Sequence, residues 1–397
     1  MQAVNRVTLT AGRFGLIALG ILGGLALWEV AVRALGVGEP RLYTFDHHLG
    51  WRLLPGASGW QRREGAAFVR VNSEGFRGPE RPRAKAADVF RVALLGDSFT
   101  EAQQVGENAT FAAVAERELS DCPALSGRRV EVLNFGCDGY GTAQELVMLR
   151  RVALGFAPDA VVAVVFTGND LRNNSPVLEQ EKCRPFFACV NGRLVPTGAF
   201  STSGLFRMQC RAKFALRHLQ VLKLLGEGRR AARQGLKRWF SARPGAKARE
   251  PGTGEWIYRP PEDPVRRQAW RITECELAEM NRETRASGAL FLAVTASNGI
   301  QVYPDAAARR GFAASLGVQD LFYPERRIAA LGERDGFAVL NLAPQLQRYA
   351  DARHLFLHGF ANTAQGVGHW NIAGHRVAGR LIASRLCAMV EARSSAK

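Results

Sequence analysis

The stretch Val89-Phe90-Arg91-Val92-Ala93-Leu94-Leu95-Gly96-Asp97-Ser98-Phe99-Thr100-Glu101 decides how this chain is read. An apolar run of strand length stops at a glycine-containing turn. Flanked by polar residues, it reads as a buried parallel strand. Two more runs of this kind follow, at 128–136 (RRVEVLNFG) and 159–170 (DAVVAVVFTGND). Helical spacing fills the gaps, over Thr110 to Leu119 and Thr142 to Leu154. Strand, helix, strand, helix, strand is the pattern of a doubly wound α/β sheet.

Working outward, the pattern lapses between about Ser175 and Pro264. A loop containing Cys183-Arg-Pro-Phe-Phe leads to a helical stretch over about 205–240. Leu216, Leu219, Leu222 (or Val221) and Leu225 recur at helix spacing; Arg229, Arg230, Arg233, Lys237 and Arg238 lie elsewhere. This segment reads as an insertion over the sheet edge. It is a cap helix with a solvated charged face, a lid, or a basic surface for membrane or anionic substrate. A helix over about 264–287 restarts the α/β pattern. It is followed by a strand in 288–297 (GALFLAVTAS), a helix near Pro324 to Asp335, a strand in 337–344 (FAVLNLAP) and a last helix over about 372–390.

The N-terminal side differs. Phe14 to Trp28 carries no charge, with Arg6 and Arg13 before it and Glu29 and Arg33 after. Alone the run has the length of a signal-peptide core. Extended to about residue 36 it reaches spanning length, and no small-x-small cleavage site follows directly. The preferred reading is an uncleaved anchor over 1–36, then a lead-in segment over 37–84 and the main domain over 85–397. Arginines on both sides leave the orientation open by charge count. The large following domain favours export, outside a bacterial inner membrane.

The chain has 397 residues, a formal charge of +17 and a pI of about 10.3, which suits an anionic partner or a solvated basic surface. Export argues against nucleic acid as that partner. Seven cysteines lack any CxxC pair, so a zinc or thioredoxin-type site has little support. Their odd number leaves at least one free or paired between chains. Cys183 and Cys189 could bridge a short loop in an oxidising compartment, or all seven could be small unpaired side chains.

Three strands end in small polar turns: Gly96-Asp97-Ser98, then Asn134 to Gly141 with Gly139 inside, then Gly168-Asn169-Asp170. Strand ends of an open parallel sheet converge in space, and ligands bind there. Ser98 offers a hydroxyl beside a helix start, whose N–H groups can receive a developing oxyanion. Asn169 can add a side-chain N–H. Gly368-His369-Trp370 precedes the last helix and places an imidazole in a loop, where it can take the serine proton. His375 falls inside that helix and reads as structural. No GxSxG stands in the chain.

These blocks, in this order over about 85–395, resemble the SGNH/GDSL hydrolase family. The segment from Leu49-Gly-Trp51 to Asn72-Ser-Glu-Gly-Phe-Arg77 is similar to membrane-anchored bacterial members with one N-terminal helix. The resemblance implies a flavodoxin-like three-layer α/β sandwich with a parallel sheet. It implies a carboxylic ester hydrolase or O-acyltransferase with Ser98 as nucleophile and His369 as base. The oxyanion hole would comprise the Ser98 and Gly139 N–H groups and the Asn169 side chain. The implied partner is an acyl ester, in particular an O-acetyl ester of a cell-envelope glycan, with no cofactor or metal. A lipid-directed esterase and a silent binding protein are the alternatives. One departure stands out. The family places an aspartate three residues before its histidine, and here that position is Gly366. A backbone carbonyl, or an acid such as Asp351 from elsewhere, would have to orient His369, or activity would be low.

Overall fold

The computed structural model describes residues 16–17, 19–21, 23–32, 40–217, 219 and 254–395. The chain forms two compact units, one of residues 1–41 with 209–247 and one of 42–208 with 248–397. In the first, the described part of 16–32 is helical. No helix among the described residues is long and apolar enough to cross a membrane. Both ends of the anchor expected over 1–36 lie outside the described residues, as does the Arg229–Arg238 cluster. Of the helix expected over 205–240, Gly204–Arg217 is described.

The second unit is built on five parallel strands: β5 (Val89–Gly96), β6 (Arg129–Asn134), β7 (Ala160–Val165), β10 (Leu290–Thr295) and β11 (Ala338–Asn341). Their order is β11-β10-β7-β5-β6. The chain leaves β5 for one neighbour, β6, and then crosses back to the other, β7. This is the flavodoxin-like order, whose switch point opens a crevice at the C-terminal ends of β5 and β7.

Alternate residues of each strand face opposite layers. Ala93, Leu95, Val161 and Ala163 pack with Leu146, Trp270, Leu277 and Ile328, from helices Thr142–Arg151, Pro264–Ala286 and Tyr323–Asp335. Val92, Leu94, Val162 and Val164 pack with Phe111, Leu346 and Ile382, from helices Phe111–Ser120, Leu342–Arg353 and Ile372–Ser395. Each valine, leucine, isoleucine or phenylalanine among them, taken from water, contributes about 1.5–3 kcal/mol. Two buried faces explain why these strands are largely apolar on both sides rather than alternating.

The lead-in segment folds as two antiparallel hairpins, β1 (Tyr43–Asp46) with β2 (Gly50–Leu53), and β3 (Ser58–Gln61) with β4 (Ala67–Arg70). In the insertion, β8 (Phe186–Val190) pairs with β9 (Arg193–Thr197). That hairpin is tied to helix Pro264–Ala286 by the disulfide Cys189–Cys275. A second disulfide, Cys122–Cys387, joins residues 265 apart. Cys183 and Cys210 are also disulfide-bonded and Cys137 is free and buried. A Cys183–Cys189 bridge is therefore corrected, as is the reading of seven unpaired thiols. Cys189 lies on a hairpin facing a helix 86 residues away, a neighbour that sequence distance hides.

Candidate active site

Ser98 opens the four-residue helix Ser98–Glu101 directly after β5. Asp97 caps it: one carboxylate oxygen accepts the Phe99 N–H at 2.9 Å, the other accepts from Asn169 Nδ2 at 3.0 Å. Among the described residues the Ser98 N–H has no acceptor, as befits the first position of a helix. Asp97 is fully buried, and burial pushes its carboxyl up to about 6 against the pull of those two donors and of His369. The same cap that bends the chain at Ser98 thus also aims the Asn169 amide.

His369 lies in the loop before the last helix, with its side chain about a quarter exposed. Its Nε2 is 2.8 Å from Ser98 Oγ. Its Nδ1 is 2.5 Å from Glu64 Oε2, and its backbone N–H donates to Glu64 Oε1 at 2.8 Å. An unbroken relay runs Ser98–His369–Glu64. Glu64 sits in the turn between β3 and β4, 305 residues from the histidine that it touches. Burial lowers the imidazole basicity, but the Glu64 hydrogen bond and charge, with Asp97 and Asp138, outweigh it and raise the His369 pKa above 6.5. Burial acts upward on Glu64, but the hydrogen bonds and charge of His369 win and hold it below 4.5.

The loop before His369 explains why position 366 carries no acid. Gly366 has φ +78°, and a Cβ there would stand 2.5 Å from the Tyr303 ring. Gly368 has φ +84°, and a Cβ there would collide with the Glu64 carboxylate. The usual place is closed by an aromatic ring, and the carboxylate enters across Gly368 instead. Asp351, the substitute considered from sequence, is held by Arg309 at 2.7 Å.

The next layer is neutral and fixed. His358 Nδ1 meets the Gly368 carbonyl at 2.6 Å and its Nε2 meets Ser297 Oγ at 2.9 Å. Trp370 Nε1 donates to the same hydroxyl at 2.9 Å. Burial drives the His358 pKa down to about 4 and that of His375 to about 3. His375 stacks on Phe111.

Gly139 follows β6 at φ +74°. The preceding peptide is held by Glu101, whose Oε2 accepts the Asp138 N–H at 2.6 Å and the Tyr43 hydroxyl at 2.9 Å. Burial and Asp138 push the Glu101 carboxyl up to about 8. Sequence reasoning singled out Ser98, Gly139, Asn169 and His369; it passed over Glu64 and Glu101. Arg62-Arg63-Glu64-Gly65 forms the hairpin tip between β3 and β4, but nothing local tells what that tip meets.

A relay that depends on neutral His369 has a pH signature. A base must be unprotonated, so activity rises as pH passes the histidine pKa. With that pKa raised, the acid limb of kcat/KM is expected to have its midpoint above pH 6.5. His358 and His375 are already neutral there and add nothing to the limb. A limb centred well below 6.5 in a pH–rate profile would contradict a Glu64-paired base.

No family profile matches the chain, and no curated protein matches it. Solved structures do. An α/β hydrolase from the metagenome of Lake Arreo, Spain, is 15% identical at a TM-score of 0.37, covering 76% of this chain and 96% of its own. An acetyl xylan esterase is 12% identical at 0.38, covering 75% and 99%. The lipase/acylhydrolase from Enterococcus faecalis is 13% identical at 0.37, covering 76% and 96%. What the site can do follows from its own side chains: an open parallel α/β sheet bearing a serine, a histidine and a carboxylate in hydrogen-bonded series.

Proposed function

We propose that this chain is a serine esterase or acyltransferase acting on O-acyl esters, in particular O-acetyl esters of a cell-envelope glycan. The observation that carries the reading is the Ser98–His369–Glu64 relay at the sheet's switch point. Ser98 Oγ attacks the acyl carbon while His369 Nε2 takes its proton. The carbonyl oxygen becomes an oxyanion facing the Ser98 N–H, the second Asn169 Nδ2 hydrogen and the Gly139 N–H. Collapse expels the alcohol, which receives the proton from His369, and leaves an acyl group on Ser98. Water, or another hydroxyl in a transferase, then attacks with His369 again as base. Glu64 keeps the proton on Nδ1, so that Nε2 stays an acceptor, and steadies the imidazolium between steps.

The acid that position 366 lacks is present from another segment, which removes the motive for a silent binding site. The glycan rests on the resemblance to SGNH/GDSL enzymes and on an envelope address. That address is supported by the uncharged run Phe14 to Trp28, by Leu16, Ile17, Leu19 and Ile21 exposed on its helical part, and by disulfides, which persist in oxidising compartments. Retention in alkaline-washed membranes, lost when residues 1–36 are deleted, checks the anchor. Hydrolysis of p-nitrophenyl acetate by the full chain, with acyl transfer to Ser98 followed by mass spectrometry, tests the chemistry. Acetate release from envelope polysaccharide, or incorporation into it, tests the substrate; no change in either on deleting the protein would refute the glycan.

A lipid-directed esterase is the second reading. It is favoured by Trp60 and Phe68, an exposed cross-strand pair on the hairpin that delivers Glu64, with Arg62 over the Trp60 ring. Preference for long acyl chains over acetate would select it.

Asn169→Ala is expected to lower kcat about 10²–10³-fold, with KM little changed, because its N–H serves the transition state. Steady-state kinetics check this; a purely KM effect would remove Asn169 from the oxyanion hole.

A further inference from the structure

The turn that carries Glu64 is gripped from outside by one side chain. Asn362 Oδ1 accepts the Gly65 N–H at 2.9 Å. Asn362 Nδ2 donates to the Arg62 carbonyl at 3.0 Å and to the Gly65 carbonyl at 2.9 Å. A primary amide has an acceptor and two N–H donors, and all are engaged here. The three bonds bracket Glu64 on both sides, from 297 to 300 residues away in sequence. Asn362 is itself fixed in a tight turn, where the Phe360 N–H donates to Thr363 Oγ1 at 3.2 Å and the Thr363 N–H to the Phe360 carbonyl at 3.0 Å. Seven residues further on, the same loop presents His369. The backbone N–H of His369 also binds Glu64, at 2.8 Å. One loop therefore holds the base and grips the turn that carries the acid.

We infer that Asn362 is a positioning residue for the Ser–His–Glu relay: it sets the Glu64 carboxylate against His369 Nδ1 and, through it, the ionisation of His369. The inference rests on the esterase reading above for its kinetic consequence, but not for its effect on the histidine. The Glu64 turn leaves the sheet at Gln61 and returns at Ala67, so the hairpin ladder ends short of the acid. Asn362 supplies, on either side of the acid, backbone hydrogen bonds that the ladder does not.

The test compares full-length wild type, Asn362→Ala, Glu64→Gln and the double variant. Two readings are taken: kcat/KM for p-nitrophenyl acetate across the acid limb, and the titration of His369 by NMR of labelled imidazole. Asn362→Ala is expected to lower kcat/KM about 10–100-fold, the range for an ångström-scale misplacement. It should also move both the acid limb and the His369 titration to lower pH. In the Glu64→Gln background it should cost less than about twofold, because partners in one network are not additive. Asn362→Ser, which keeps one donor and one acceptor, should recover part of the shift and guards against a folding defect in the alanine variant. An equal fold loss with and without Glu64, or a His369 titration unmoved by Asn362→Ala, would reduce Asn362 to a turn residue and overturn the inference. Absence of Ser98-dependent turnover in wild type would fell the esterase reading alone, while the imidazole titration would still decide the role of Asn362.

Discussion

Ser98→Ala is expected to abolish ester hydrolysis, with a loss of about 10⁶-fold in kcat, down to what oxyanion donors and binding supply without a nucleophile. The hydroxyl is the group hydrogen-bonded to His369 Nε2, at 2.8 Å, and alanine leaves the imidazole without a proton to take. His369→Ala should cost about as much, since an unassisted serine hydroxyl is a weak nucleophile at neutral pH. The double variant should be no worse than either single one, because the two act as a unit. Neither change should cost much stability: the Ser98 hydroxyl makes one side-chain bond, to a partly exposed histidine. Kinetics alongside thermal unfolding separate these effects. Wild-type turnover in Ser98→Ala would remove the seryl intermediate; losses that multiply in the double variant would mean that the two residues serve different steps.

Glu64→Gln is expected to lower kcat about 10⁴-fold, the loss known for a triad acid replaced by its amide. The reason is tautomeric. Glu64 Oε2 accepts from His369 Nδ1, which leaves Nε2 free to accept from Ser98. A glutamine that presents N–H to Nδ1 forces the proton onto Nε2, and the base faces serine already occupied. The acid limb should move down at the same time, because the anion that raises the His369 pKa is gone. Adding Gly366→Asp to this variant should not restore activity, since a Cβ there meets the Tyr303 ring at 2.5 Å. Near-wild-type activity in Glu64→Gln, or recovery through Asp at 366, would refute the acid assigned here.

The sheet was legible because strands buried on both faces are mostly apolar: β7 is wholly so, β10 but for Thr295, and β5 but for Arg91. Ser98 and His369 were legible because they flank elements whose ends the fold brings together. The run 337–344 was read as one strand, yet β11 stops at Asn341 and a helix begins at Leu342. Pro344 sits in that helix's first turn, where no backbone donor is needed, so it did not betray the boundary. Helix Ala306–Ser315 was passed over, having only Ala313 buried and thus no apolar stripe. The acid was illegible for a deeper reason. Glu64 arrives on a short hairpin whose own burial pattern says nothing of His369. Disulfide partners share this property: 265 residues separate Cys122 from Cys387 and 86 separate Cys189 from Cys275.

Gly368 and Glu64 occupy the same space in turn: the carboxylate lies where a side chain at 368 would begin. The two positions are therefore bound to a common history. A descendant that gains a side chain at 368 evicts its acid, and one that loses the acid releases 368 to vary. Among relatives of this chain, an acid at 64 and a glycine at 368 should be inherited or lost as a pair, and a chain keeping one without the other would mark the moment of transition.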